Sequence, residues 1–339
     1  MNTKNIIYYI SIIIVLAFSF YLEGILGIIN FVIFVILYSI IFFAIYYAWK
    51  TIKKKEILNY KDYFILFVKK ISLSLVIIGL ILTGFTYYQN EIEPAKMPEY
   101  TITNGDKTVI FQAMSHVGSE EFYQTIKENL IKAKQNGYVY FFEGVGPGTE
   151  ENSQKFNKAI GIEFNKDLYP NFSKLYGVNY QDNTIYYGLV NELDFNVDVS
   201  IDYIMEEYEK LIATSTQKLN IPDENAIPID VSSEIIKTLA SLNDRELKVL
   251  VYINQAILNF IIKSNETKNL IASNFTNQAL FDIILHGRNE VLADAIINSE
   301  YNKIYVTYGL LHFEGVLKLL QVDDPDWKIV DTNYLIPIK

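Results

Sequence analysis

Three apolar runs, at residues 6–22, 25–49 and 71–88, limit what this 339-residue chain can fold into. About 20 apolar residues in a helix cross the hydrocarbon of a bilayer, and such a helix satisfies its own backbone there. Residues 1–90 therefore read as a three-helix transmembrane anchor. Tyr8, Tyr21, Tyr47, Trp49, Tyr87 and Tyr88 sit near the ends of the runs, where interfacial aromatic belts form. Seven lysines between positions 50 and 70 place that connection, and with it the N-terminus, in the cytoplasm. The chain after the third span is then expected outside the cell membrane. A cleaved signal peptide is a poor description of the first run, which has one preceding lysine and no small-residue cleavage site. A fourth run at 247–262 is interrupted by Lys248, Asn254, Gln255 and Asn259, so it reads as an amphipathic helix.

Charge divides with hydropathy. The whole chain carries a formal −10, whereas residues 1–90 carry eight lysines against three acids. The remainder is strongly acidic and would repel a phosphate backbone, which excludes nucleic acid as an expected partner. The absence of cysteine excludes thiol catalysis, cysteine metal sites and disulfides. All three histidines, His116, His286 and His312, follow the anchor.

Residues 91–104, with Pro94 and Pro98, read as a linker, leaving 105–339 as the functional domain. An apolar run at 108–112 suits a buried strand. Residues 120–134 show helical spacing through Phe122, Ile126, Leu130 and Ile131, and Gln135-Asn136-Gly137 ends the helix. A second strand follows at 138–142, giving a βαβ unit with parallel strands. Residues 201–219 and 232–263 predict a helical insertion. The α/β pattern returns with a helix at 288–297, a strand at 304–308, a helix at 313–320 and a closing strand at 327–330. The fold class is α/β: a central, mostly parallel sheet flanked by helices, preceded by three transmembrane helices.

Two strand ends echo each other. Ala113-Met114-Ser115-His116 is followed by Gly118, and Gly309-Leu310-Leu311-His312 by Gly315. The small residue opening each motif permits close backbone approach. Ligands of open parallel sheets bind beyond the carboxyl ends of the strands. His116, His312 and Glu143 all lie just past such ends. The start of the helix at Arg288-Asn289 must point to the same edge. Two imidazoles and a carboxylate are the protein ligands of many hydrolytic metal sites, where an open position activates water. His116 and His312 are thus candidate metal ligands, and Glu143 is a third ligand or the general base. Arg288 is a candidate for stabilising an oxyanion, with Asn289 in support. His286 lacks the strand context and reads as structural.

These motifs resemble the TraB/GumN/Tiki family, within the group that includes EreA-like and ChaN-like proteins. The resemblance rests on Ala113-Met114-Ser115-His116, Phe142-Glu143-Gly144, Arg288-Asn289 and Tyr308-Gly309-Leu310-Leu311-His312, with Asn196-Val197-Asp198-Val199 similar to an acidic element of the family. It covers roughly residues 105–335, and Ala113 departs from the family's glycine. The resemblance implies a divalent-metal-dependent peptidase, with manganese or cobalt favoured and zinc also compatible, acting on extracytoplasmic peptides or proteins from the bilayer. The other branches imply the alternative, a non-catalytic membrane-tethered regulator that binds a peptide or haem.

Overall fold

The computed structural model describes residues 3–215, 227–264 and 277–338. They group into two compact units, one formed by the described residues within 1–88 and 240–253, the other by those within 89–239 and 254–339.

The first unit contains α1 (Thr3–Glu23), α2 (Ile25–Ile52) and α3 (Tyr60–Tyr87). All three are long and apolar enough to cross a membrane. Their large apolar side chains are mostly exposed, as lipid-facing residues must be. At Gly27 a β-carbon would lie 2.1 Å from the Ser19 carbonyl oxygen, so only glycine allows α1 and α2 to pack this closely. The third helix starts eleven residues before the expected span. Asn59 caps it by accepting from the Asp62 N–H at 2.9 Å, and Tyr63 packs on Phe43 with ring centroids 5.1 Å apart. Lys61, Lys69 and Lys70 therefore lie on a helix rather than in a loop. Residues 240–253, which the sequence places in the second unit, pack with this first one. Arg245 Nη1 donates to the Tyr21 carbonyl at 2.6 Å and Asn243 Nδ2 to that of Leu22 at 3.1 Å. Both satisfy carbonyls that the end of α1 leaves without helical partners.

The second unit is built on β1 (Met97–Thr103), β2 (Thr108–Met114), β3 (Val117–Gly118), β4 (Val139–Phe142), β5 (Asn179–Tyr180), β6 (Phe195–Asn196), β7 (Lys303–Gly309) and β8 (Lys328–Leu335). Six of them form one sheet in the order β6-β4-β7-β2-β1-β8, and β3 pairs with β5 separately. The β6, β4, β7 and β2 strands run parallel; β1 is antiparallel to both β2 and β8. The sheet is thus mixed, with its parallel part carrying the strand ends singled out by the sequence. Ile304 to Tyr308 are all buried, as are Phe111 to Met114, the continuous pattern of strands covered on both faces. The helix Glu120–Gln135 joins β2 to β4, but these strands are not neighbours: β7 lies between them.

Residues 97–103, expected to be linker, form an interior strand. Pro98 is compatible with this because pairing to β2 begins only at Glu99, opposite Gln112, so no ladder bond to β2 needs the missing proline N–H. The closing strand is longer than the four residues expected. The helix expected at 232–263 is two, Val231–Ala240 and Asp244–Lys263. The helix starting at Ile201 ends at Thr214, and the last part of the expected 201–219 helix lies outside the described residues. A second apolar cluster joins Phe156, Ile160, Ile204, Met205, Tyr208 and Leu280 beside the main core.

Candidate functional site

Strand order decides whether the expected residues meet. Because β7 is flanked by β2 on one side and β4 on the other, the turns after these three strands adjoin at one edge. His116 lies two residues past β2, Glu143 directly past β4 and His312 three residues past β7. The turn at His116 is fixed by the β3–β5 pair, and its carbonyl accepts from the Gln181 N–H at 2.8 Å.

Glu143 is the centre of the group. Its own N–H donates to the Thr307 carbonyl at 3.1 Å, which seats it beside β7. Its Oε2 accepts from the Gly309 N–H at 2.7 Å, and its Oε1 accepts from Arg288 Nη2. A methyl group at Gly309 would stand 3.3 Å from His312 Cδ2 and 3.6 Å from Glu143 Oε2. Imidazole and carboxylate are therefore both drawn up against this residue. Burial alone would raise the pKa of Glu143, but Arg288 first, and then the two histidines, outweigh it and hold the carboxyl below the usual range.

Arg288 is a buried cation held by two acids. Its Nε donates to Asp198 Oδ1 at 2.8 Å and its Nη2 to Asp198 Oδ2 at 2.8 Å, the bidentate geometry that suits guanidinium and carboxylate. Asp198, fully buried, also accepts from the N–H groups of Gly144 at 3.0 Å and Val199 at 2.8 Å. Arg288 opens the α-helix Arg288–Asn298, where the sequence places its start. Helical chain runs into it from Gln278 through a wide π-type turn at Ile283–Gly287. Such turns are frequent at functional sites.

Asn289 is buried behind His312, and its Oδ1 lies 2.8 Å from His312 Nδ1. The His312 ring also meets Tyr308 edge-on at 4.8 Å. Burial, seconded by the charge of Arg288, lowers the pKa of His312 to about 4 against the pull of Glu143 and Asp198. His312 is therefore neutral at pH 7. His116 is exposed, and its ring lies against Tyr169 with centroids 4.4 Å apart and planes 31° from parallel. Burial and the charge of Glu143 push the Tyr169 hydroxyl up to about 12, keeping it protonated. His286 is exposed on the π-type turn and is absent from the surroundings of Glu143.

The structure thus brings His116, Glu143, Arg288, Asn289 and His312 into one centre and leaves His286 out. It gives Arg288 and Asn289 internal partners rather than a free face. Two members were not among the expected site residues. Asp198 sits in a short acidic element between two valines, and only its burial under Arg288 shows its role. Tyr169, on the helix Leu168–Tyr176, belongs to an apolar spacing through Leu168, Phe172, Leu175 and Tyr176 that marks a helix but not a site.

The residues fit a resident divalent metal poorly in this arrangement. Both Glu143 oxygens are engaged, and a cation on that carboxylate would face the guanidinium of Arg288. Among the described residues no group of three or more histidine, aspartate or glutamate side chains stands ready to hold a metal ion. No family model, curated protein or solved structure matches the chain.

Proposed function

We propose that the chain is a membrane-anchored hydrolase, a peptidase acting on extracytoplasmic peptides or proteins, whose reaction centre is formed by His116, Glu143 and His312. The observation that carries this reading is the meeting of two imidazoles with one ionised carboxylate at the carboxyl edge of β2, β4 and β7. The resemblance in the motifs around these residues also implies a peptidase, in its case a metal-dependent one.

The chemistry follows from the side chains present. His116 is the exposed imidazole and takes a proton from the attacking water. Desolvation leads in lowering the pKa of both histidines and Arg288 adds to it, but Glu143 pulls the other way, so it stabilises the imidazolium as it forms, the role a carboxylate plays beside a catalytic histidine. Arg288, fixed by Asp198, keeps Glu143 ionised and aimed. Neutral His312 offers a second imidazole edge beside the same carboxylate. Proton transfer by a positioned group of this kind contributes about 10²–10⁴-fold to rate.

The test uses the full-length protein in lipid against fluorogenic peptides and aryl esters. His116→Ala and Glu143→Gln should each lower turnover by about 10²-fold or more. Equal turnover in both variants and the parent would overturn the assignment. Chelation followed by manganese or cobalt addition addresses the metal-dependent form. On the reading above, a chelator leaves the rate unchanged. A rate abolished by chelation and restored by manganese would show that Arg288 yields Glu143 to a metal. Tight binding of intact peptide or haem without turnover would instead establish the tethered regulator, the reading that engagement of both Glu143 oxygens favours.

A further inference from the structure

Gly315 stands in the first turn of the helix Phe313–Asp323. A β-carbon there would lie 2.1 Å from Asn289 Nδ2 and 2.9 Å from its Cγ. The Asn289 carboxamide occupies the space that a side chain at position 315 would need. Both atoms belong to a buried side chain on a helix packed against this one, so neither can swing into solvent.

The same carboxamide holds His312. Asn289 Oδ1, 2.8 Å from His312 Nδ1, can only accept, so Nδ1 carries the proton and Nε2 keeps its lone pair. Cδ2, the carbon bonded to Nε2, lies against Gly309 on the side where Glu143 is also found. The unprotonated nitrogen is thus on the edge turned to the carboxylate, and Asn289 is on the edge turned away.

We propose that Gly315 is a positioning residue of the centre: its missing side chain seats Asn289, and Asn289 fixes His312 as the Nδ1–H tautomer with the Nε2 lone pair directed to the reaction side. This rests on the functional reading only for the consequence in turnover. The tautomer is separable from that reading and has its own measurement. A general rule also runs the other way here. Glycine to alanine inside a helix ordinarily favours the helix, whereas Gly315→Ala must push Asn289 off His312.

The experiment is solid-state nitrogen NMR of the full chain in lipid bilayers, with label confined to the three histidines and His312→Gln assigning the His312 signals. The parent should show His312 protonated at Nδ1 alone. Gly315→Ala and Asn289→Ala should each produce a mixture of tautomers, whereas Asn289→Asp, which retains an acceptor, should keep the Nδ1–H form. The pair Gly315→Ala with Asn289→Ala should match Asn289→Ala in tautomer and unfold at a higher temperature than Gly315→Ala alone. An Nε2–H tautomer in the parent, or a pure Nδ1–H form in both Gly315→Ala and Asn289→Ala, would overturn the proposal. If Gly315→Ala does not fold, the contrast between Asn289→Ala and Asn289→Asp decides. Absence of turnover in the parent would count against the hydrolase while leaving the tautomer result intact.

Discussion

Arg288 and Asp198 meet fork to fork, with Nε and Nη2 of the arginine each 2.8 Å from one oxygen of the aspartate. The same Nη2 reaches Glu143, so one buried cation stands between a fully enclosed carboxylate, Asp198, and a partly buried one, Glu143. Removing one partner strands the others in a low-dielectric interior, which typically costs about 3–5 kcal/mol. Arg288→Met should therefore destabilise the unit by about that amount, because two acids lose their counter-charge. Asp198→Asn should cost less, since the amide oxygen still accepts. Thermal unfolding followed through buried Trp327, with Trp49 replaced by Phe to remove the anchor's signal, measures both. Near-wild-type stability of Arg288→Met would show that the acids are not ionised together.

Acid should loosen the same unit in a defined window. Histidine free in an unfolded chain titrates near about 6.5, and His312 in the folded state does so at about 4. Between these values the unfolded state binds more protons, so stability rises with pH there and is lost as pH falls. The loss from this group approaches about 3 kcal/mol at pH 4. Glu143, whose folded pKa is depressed, adds to the loss as pH falls further. Unfolding temperatures between pH 7 and 4 should fall less steeply in His312→Gln than in the parent. Identical slopes would mean that His312 does not titrate with folding.

Tyr169 offers its ring face to His116 and its hydroxyl to the neighbourhood of Glu143. An aromatic pair of this kind is worth about 0.5–1.5 kcal/mol, or about 2–13-fold in rate if all of it positions the reacting ring. Tyr169→Ala should lower turnover within that range. Tyr169→Phe keeps the stack and should stay within about twofold of the parent on the same argument. Equal damage from both would transfer the role to the hydroxyl.

The lack of native cysteine makes the membrane topology directly readable. Cysteines introduced one at a time at Lys55, in the turn between α2 and α3, and at Glu151, on the helix Glu150–Ile160, should behave oppositely. In intact cells an impermeant maleimide should label the Glu151 position and spare the Lys55 position until the membrane is opened. Labelling at Lys55 and protection at Glu151 would reverse the orientation expected from the lysines.

By itself the sequence determined the elements whose signal is local. Runs of apolar residues specify three membrane helices, because a span needs only length and hydropathy. Continuous apolar runs mark β2, β4 and β7, and the residues just after them follow from the chain. That His116, Glu143 and His312 belong to strand ends was legible for this reason. Their meeting was not, because it depends on β7 (Lys303–Gly309) inserting between β2 and β4, strands that end at Met114 and Phe142, far earlier in the chain. Periodicity records which face of an element is apolar and carries no address for its neighbour. The same limit hid β1, whose two flanking strands supply the pairing that Pro98 argued against. It also hid the commitment of Arg288 to Asp198, since a buried ion pair depends on which charges the packing encloses together.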